Sequence, residues 1–176
     1  MGRGAASRRR SARGHALPVA PDAAEPRAGR AVRRAAWLRG ELLGEWEAAL
    51  RGTRQAYELA AQSGSKREMA IALLDVGSCL SVCGEPVQAL EALRGSLALA
   101  EETDDSGARA ASLQYMILPY DLLGDYAAGT AAAQEAVAIW SAKGNRRQAI
   151  TATFIDEARL HLHWGDFEQA ARALQQ

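Results

Sequence analysis

The sequence predicts an all-α protein, an α-solenoid of stacked antiparallel helix pairs with about 3.5–4 repeats. Three observations predict it. A phrase of apolar residue, glycine, acid and then aromatic or proline recurs as "LLGEWEAAL" from Leu42, "VCGEPVQAL" from Val82, "LLGDYAAG" from Leu122 and "HWGDFEQAA" from His163. Its glycines, Gly44, Gly84, Gly124 and Gly165, are spaced by 40, 40 and 41 residues. A near-constant period of that size marks stacked units. The apolar fraction is 48%, enough for a core, and Ala and Leu, both strong helix formers, dominate it. Few stretches join β-branched and aromatic residues to a period of two, as strands require.

Residues 1–29 read as a disordered Arg- and Pro-rich tail, and residues 30–176 as the array. The tail has no apolar stretch of signal-peptide length, and Ala6 stands where a myristoylation pattern needs Ser or Thr. An inert or mis-started leader, an arm binding polyanions through phosphates, and a targeting segment all stay open. The zero net charge splits along the chain: residues 1–36 carry +7 and residues 37–176 carry −7. A mildly acidic body does not attract nucleic acid, so only the tail offers weak nucleic-acid binding. No run approaches eighteen apolar residues, so no membrane span is expected.

The repeats fall at about 30–65, 66–107, 108–146 and 147–176. In unit one, helix A covers about Arg30–Leu43 with a less regular pattern, and Glu45 is a poor cap for helix B. In unit two, Met69, Ala70, Leu73, Leu74, Val76, Gly77 and Leu80 fall at helical spacing. Gly84 stops that helix in a left-handed cap, and Pro86 opens the next, where its missing N–H costs nothing. Helix B then carries Val87, Leu90, Leu93, Leu97 and Ala100 on one stripe up to "TDDSG".

Unit three repeats the pattern, with helix A at about Ala108–Leu123, Gly124 as stop and Asp125 as cap. Its helix B runs through Ala136, Val137 and Trp140 to "SAKGN". Pro119 lies about ten residues into helix A, where a kink is expected. Unit four uses Gly165 and Asp166 in the same way, but its helix B, about Asp166–Gln176, is short. The aromatics Trp46, Tyr126 and Phe167 are expected to pack back on the helix A of their own unit. Around Phe154, Leu162, Phe167 and Leu174 an uncovered apolar side is expected, as is self-association there or a longer parent array.

These joints resemble the tetratricopeptide repeat family. The resemblance rests on Gly44-Glu45-Trp46, Gly84-Glu85-Pro86, Gly124-Asp125-Tyr126 and Gly165-Asp166-Phe167. Small residues follow at Ala49, Ala89, Gly129 and Ala170, and again at Ala56, Ser96 and Ala136. The family's Leu-Gly pair is approached only by Val76-Gly77; Ala36-Trp37, Met116-Ile117 and Glu157-Ala158 depart from it. The period exceeds the family's usual 34 residues. Long repeats of this kind resemble the sensor arms of bacterial LuxR-type and maltose-regulator-type activators, and arms attached to signalling ATPases. The Ala, Arg and Gly richness is similar to that of a GC-rich bacterium.

The resemblance implies a protein-interaction module, or a regulatory arm binding a peptide or small ligand, with protein or peptide partners. It also implies that helix A of each unit lines an inner groove. In family register the inward positions are Arg34, Leu38 and Glu41; Leu74, Ser78 and Ser81; Gln114, Leu118 and Asp121; and Ile155, Arg159 and His163. Family members that clamp a chaperone's terminal carboxylate use Lys and Asn here. This chain has Leu74 and Ser78, then Ile155 and Arg159, and lacks that clamp.

No nucleotide-binding loop, nucleophile elbow or H-E-x-x-H pattern occurs, so neither catalysis nor a cofactor is expected. His161 and His163 are two apart on a predicted helix and point to different sides, which is wrong for one metal. Ser78, Ser81 and Asp121 have no histidine partner in the sequence, and none is expected from repeat stacking. Cys79 and Cys83 share a helix face in poor geometry for a disulfide. With no second Cys pair for zinc, they read as small buried thiols, suited to a reducing cytoplasm.

Overall fold

The computed structural model describes residues 24–152 and 158–173. Among these, all regular structure is helical: α1 (Ala24–Leu43), α2 (Trp46–Gln62), α3 (Lys66–Val82), α4 (Pro86–Glu102), α5 (Ser106–Leu123), α6 (Tyr126–Ala142), α7 (Arg146–Thr151), α8 (Ala158–His163) and α9 (Phe167–Ala173). Consecutive helices pack against each other from α1 through α7, as do α8 and α9, and each unit's second helix packs on the next unit's first. The first helices also touch across units, α1 with α3 and α3 with α5, whereas α2, α4 and α6 make no comparable mutual contact. Helices that approach more closely lie on the inside of a curve, so α1, α3 and α5 form the concave face.

The chain reverses by one device, used at two kinds of joint. Gly44, Gly84, Gly124 and Gly165 close the first helix of each unit with φ of 70–80°. Gly64, Asp104 and Gly144 do the same after the second helices, so a left-handed residue recurs about every twenty positions. Asp104 is the one non-glycine among the described residues with positive φ, at 51°. After each inter-unit turn a side chain caps the next helix. Ser65 accepts from the Glu68 N–H, Asp105 from Gly107 and Ala108, and Asn145 from Gln148. "TDDSG" and "SAKGN", expected as stops, also start the helices that follow. Within units, Asp125 and Asp166 cap as expected, and Glu45 makes no side-chain cap bond.

Two expectations are corrected. The first helix begins at Ala24, six residues inside the expected tail. Pro26 sits in its first turn, where the missing N–H is not needed, and Gly29 already lies against Leu59 of α2. The aromatic at each joint does not always turn back. Trp46 does, lying so close to Gly40 that a Cβ there would meet its ring at 2.7 Å. Tyr126 packs on the core that α5 contributes to and also faces His161 and Trp164 of unit four, whereas Phe167 is 70% exposed. The helix α5 runs through Pro119 to Leu123 as expected, with the proline ring fully buried.

The core is continuous from unit two into unit four. Leu93, Leu113, Met116 and Ile117 meet Leu160 of α8. Each fully buried leucine or isoleucine contributes about 1.5–3 kcal/mol. Gly77 lets α3 approach α4: a Cβ there would lie 2.5 Å from Leu93 Cγ and 3.1 Å from the Ala89 carbonyl oxygen. Gly129 does the same for Leu160, whose Cδ2 would be 3.0 Å from an added Cβ. This explains why unit three has glycine where the other units have alanine. One buried polar chain crosses units: Ser96 donates to the Ala70 carbonyl (2.7 Å) and its oxygen lies 2.8 Å from that of Ser112. Ser112 Oγ in turn lies 2.9 Å from the Ala108 carbonyl oxygen, so both hydroxyls have a backbone carbonyl to donate to and either can be the donor between them.

Candidate functional site

The inner face carries a concave groove of about 330 Å³ between α1, α3 and α5, to whose lining Thr151 of α7 also contributes. Its lining includes Trp37, Glu41, Trp46, Ser78, Ser81, Val82, Gln114, Tyr115 and Leu118. Trp37 and Glu41 are one turn apart on α1 and therefore share a face. Ser78 and Ser81 stand on α3, and Gln114, Tyr115 and Leu118 on α5. Trp37 is edge-on to Trp46 (6.4 Å between centroids, 81°) and to Tyr115 (6.4 Å, 83°), which ties unit one to unit three over the top of α3. Gln114 Oε1 accepts from Trp140 Nε1 at 3.3 Å, which fixes the amide. Ser81 donates to the Gly77 carbonyl at 2.8 Å.

Of the twelve inward positions, Glu41, Ser78, Ser81, Gln114 and Leu118 line this groove. Arg34 and Leu38 are exposed on α1 outside the lining. Leu74 is not a surface residue: it is buried in the core with Leu90 and Leu113, because α5 packs over that turn of α3. Ile155 lies outside the described residues, as does the side chain of Arg159. Trp37, Trp46, Val82, Tyr115 and Thr151 were not among the expected positions. Trp37 left a signal, since it falls one repeat before Gly77, where the register requires a small residue. A tryptophan there must turn outward.

Asp121 and His163 belong to a second cluster. Asp121 Oδ2 is 2.9 Å from His163 Nδ1, and Asp121 Oδ1 accepts from Trp164 Nε1 at 3.1 Å. Contrary to expectation, stacking supplies Asp121 with a histidine partner, from 42 positions away. His161 points the other way, is buried, and hydrogen-bonds the Tyr126 hydroxyl. The two histidines thus serve different contacts in fastening unit four to unit three. Among the described residues no three His, Cys, Asp or Glu side chains converge as a metal site.

Beneath the groove, Asp75 of α3 is buried and paired with Arg33 of α1 at 3.0 Å. Burial pushes the Asp75 carboxyl up, and Arg33 pulls it back. Arg33 Nε is itself buried and finds no hydrogen-bond partner among the described residues. The Cys79 thiol is pushed up to about 11, first by burial and then by the charge of Asp75. Cys83, half-buried, is also raised by burial, and both cysteines are free thiols. The outer rim is different in kind. Lys66 pairs with Glu102 (2.7 Å), Arg67 with Asp105 (3.0 Å), and Arg109 with Glu135. Such exposed pairs contribute less than about 1 kcal/mol each. Asp105 is held below the usual carboxylate range, chiefly by the Ala108 N–H it caps.

Paired helices, left-handed joints and a concave face built from first helices decide the fold. It is a tetratricopeptide-like repeat array. A Rap protein complexed with Competence and Sporulation Factor superimposes with a TM-score of 0.77 at 19% identity, over 85% of this chain and 41% of that one. A putative kinesin light chain from Podosopora anserina with nearly identical TPR-like repeats gives 0.71 at 18% identity, over 85% and 73%. BtubC (BKLC) from P. vanneervenii gives 0.68 at 16%, over 85% and 62%. The chain thus spans 41% of the length of the Rap protein. No protein-family model and no curated protein matches the sequence. Among the described residues, no helix is long and apolar enough to cross a membrane.

Proposed function

We propose that the chain is a non-catalytic protein–protein interaction scaffold that receives a segment of its partner along the α1–α3–α5 face. The observation that carries this reading is the groove itself. It places three half-buried aromatic rings and Leu118 on the concave side, in a volume suited to side chains of a peptide. Aromatic residues in such positions concentrate binding energy. The free thiols of Cys79 and Cys83 are compatible with a reducing, cytoplasmic setting. Affinity purification from the source cell, using the full chain and Leu118→Glu side by side, tests the reading. A partner retained by the native chain and lost by Leu118→Glu, with unchanged circular dichroism, supports it. A partner retained equally by both contradicts it.

A second reading is a regulatory arm that senses a peptide or small ligand, as in the LuxR-type and maltose-regulator-type proteins. It is favoured by one observation: the Rap structure similar to this chain was solved in complex with a factor. A ligand that changes the affinity for the purified partner distinguishes an arm from a passive scaffold.

Self-association through unit four is a further part of the proposal. Leu162, Trp164 and Phe167 are exposed there, beside Leu122 and Leu123 of the preceding unit. Trp164 reaches the earlier joint, 3.3 Å from where a Gly124 Cβ would stand. Light scattering over a dilution series is expected to show a dimer that Phe167→Glu abolishes. A monomer at all concentrations refutes this part.

A further inference from the structure

We propose that the groove recognises a cationic group, a lysine or arginine side chain of the partner, in a box of Trp37, Trp46 and Tyr115 closed by the Glu41 carboxylate. This rests on the reading of the α1–α3–α5 face as the binding surface and names what that surface selects.

Geometry is the first support. The Trp37 ring stands at 81° to Trp46 and 83° to Tyr115, with both centroid distances 6.4 Å. Rings set at right angles present faces in different directions around one corner. The face of an aromatic ring carries the negative lobe of its quadrupole, which attracts a cation within about 6 Å. All three rings line the groove and are half-buried, so each keeps part of its surface accessible.

Charge is the second. Of the described side chains that line the groove, Glu41 is the one acidic residue, and no lysine or arginine is among them. Of the arginines on α1, Arg34 lies outside the lining, Arg33 is paired with Asp75 and Arg39 is paired with Glu45 at 3.1 Å. A purely apolar occupant would strip water from Glu41 and give it no partner. A guanidinium or ammonium group satisfies the carboxylate and the ring faces together. The groove's neutral polar atoms agree with this. Ser81 spends its hydrogen on the Gly77 carbonyl and so meets a ligand as an acceptor, which suits a donor-only cation.

The test is a titration of the full chain followed by the tryptophan indole N–H signals in nuclear magnetic resonance, assigned through Trp37→Phe and Trp46→Phe. The probes are three acetylated, amidated alanine pentapeptides with arginine, citrulline or leucine at the centre. Citrulline has the shape of arginine without its charge. Saturable shifts of the Trp37 and Trp46 signals are expected with the arginine peptide, at least about tenfold weaker binding with citrulline, and a similar loss on Glu41→Gln. Glu41 is exposed, so that variant keeps the fold. Equal binding of arginine and citrulline, or binding indifferent to Glu41→Gln, overturns the cationic assignment. Preference for the leucine peptide also overturns it while leaving the groove reading standing. Silence of all three probes overturns the assignment, and the Leu118→Glu purification then judges the groove on its own.

Discussion

Arg33→Met should be among the most damaging single changes in unit one. Asp75 is 5% exposed and depends on Arg33, whose Nη1 lies 3.0 Å from Asp75 Oδ2. At that distance and an effective dielectric of ~20, the attraction is about 5 kcal/mol before desolvation. Removing the arginine leaves a buried carboxylate unpaired, which costs about 3–5 kcal/mol. The reverse change is milder, because Arg33, with 28% of its side chain exposed, can turn to water when Asp75 is replaced. The double variant Arg33→Met/Asp75→Leu should lie within about 1–2 kcal/mol of the native chain. pH supplies an independent check. The folded Asp75 pKa is raised by burial, and losing Arg33 removes the pull that opposes the rise. A raised folded pKa favours the protonated form, so the penalty of Arg33→Met should shrink as pH falls from neutral toward the carboxylate range. Urea unfolding followed by far-ultraviolet circular dichroism at neutral and mildly acidic pH measures both. A cost under about 1 kcal/mol at neutral pH, or one that does not shrink in acid, would refute the reasoning.

Gly77→Ala should destabilise by about 1–3 kcal/mol, because its Cβ would meet Leu93 Cγ at 2.5 Å and backbone at 3.1 Å, more than offsetting the helix-propensity gain of about 1 kcal/mol; urea unfolding reads the sign. Asp104→Gly should stabilise by up to about 1 kcal/mol, since Asp104 holds φ of 51° at a turn where its counterparts are glycines. A raised melting temperature is expected, and a lowered one would count against the turn assignment. Cys79 titrates at about 11 against an ordinary 9.0, so it favours the folded state below 9.0 and loses that contribution, about 3 kcal/mol, as pH rises through about 11. Cys79→Ala should flatten this part of the alkaline stability curve.

The fold was legible because its signals are local and repeated. One Gly-acid joint could arise anywhere, but Gly44, Gly84, Gly124 and Gly165 at a constant interval need stacked units. Caps were half legible. Asp125 follows a glycine and was read correctly, whereas Ser65, Asp105 and Asn145 sit in polar stretches that look like simple terminators. The groove was less legible, because membership depends on how units stack. Ser78 and Leu118 face it, whereas Leu74, on the same helix as Ser78, is covered by α5. Tyr115 reaches Trp37 across 78 positions, and His163 reaches Asp121 across 42, through superhelical geometry that no window of sequence contains. The start of α1 was missed because Pro26 reads as a breaker, although in a first turn it is neutral.

The central claim is that partners bind the concave face. Hydrogen exchange of the full chain, with and without the partner retained in the purification, tests it most directly. The account predicts that protection gained on binding falls on α1, α3 and α5 around Trp37, Ser81 and Leu118 and on the α2 start at Trp46, and leaves the rest of α2 and the outer helices α4 and α6 unchanged. Protection confined to α2, α4 and α6, with the groove exchanging as in the free chain, would contradict it.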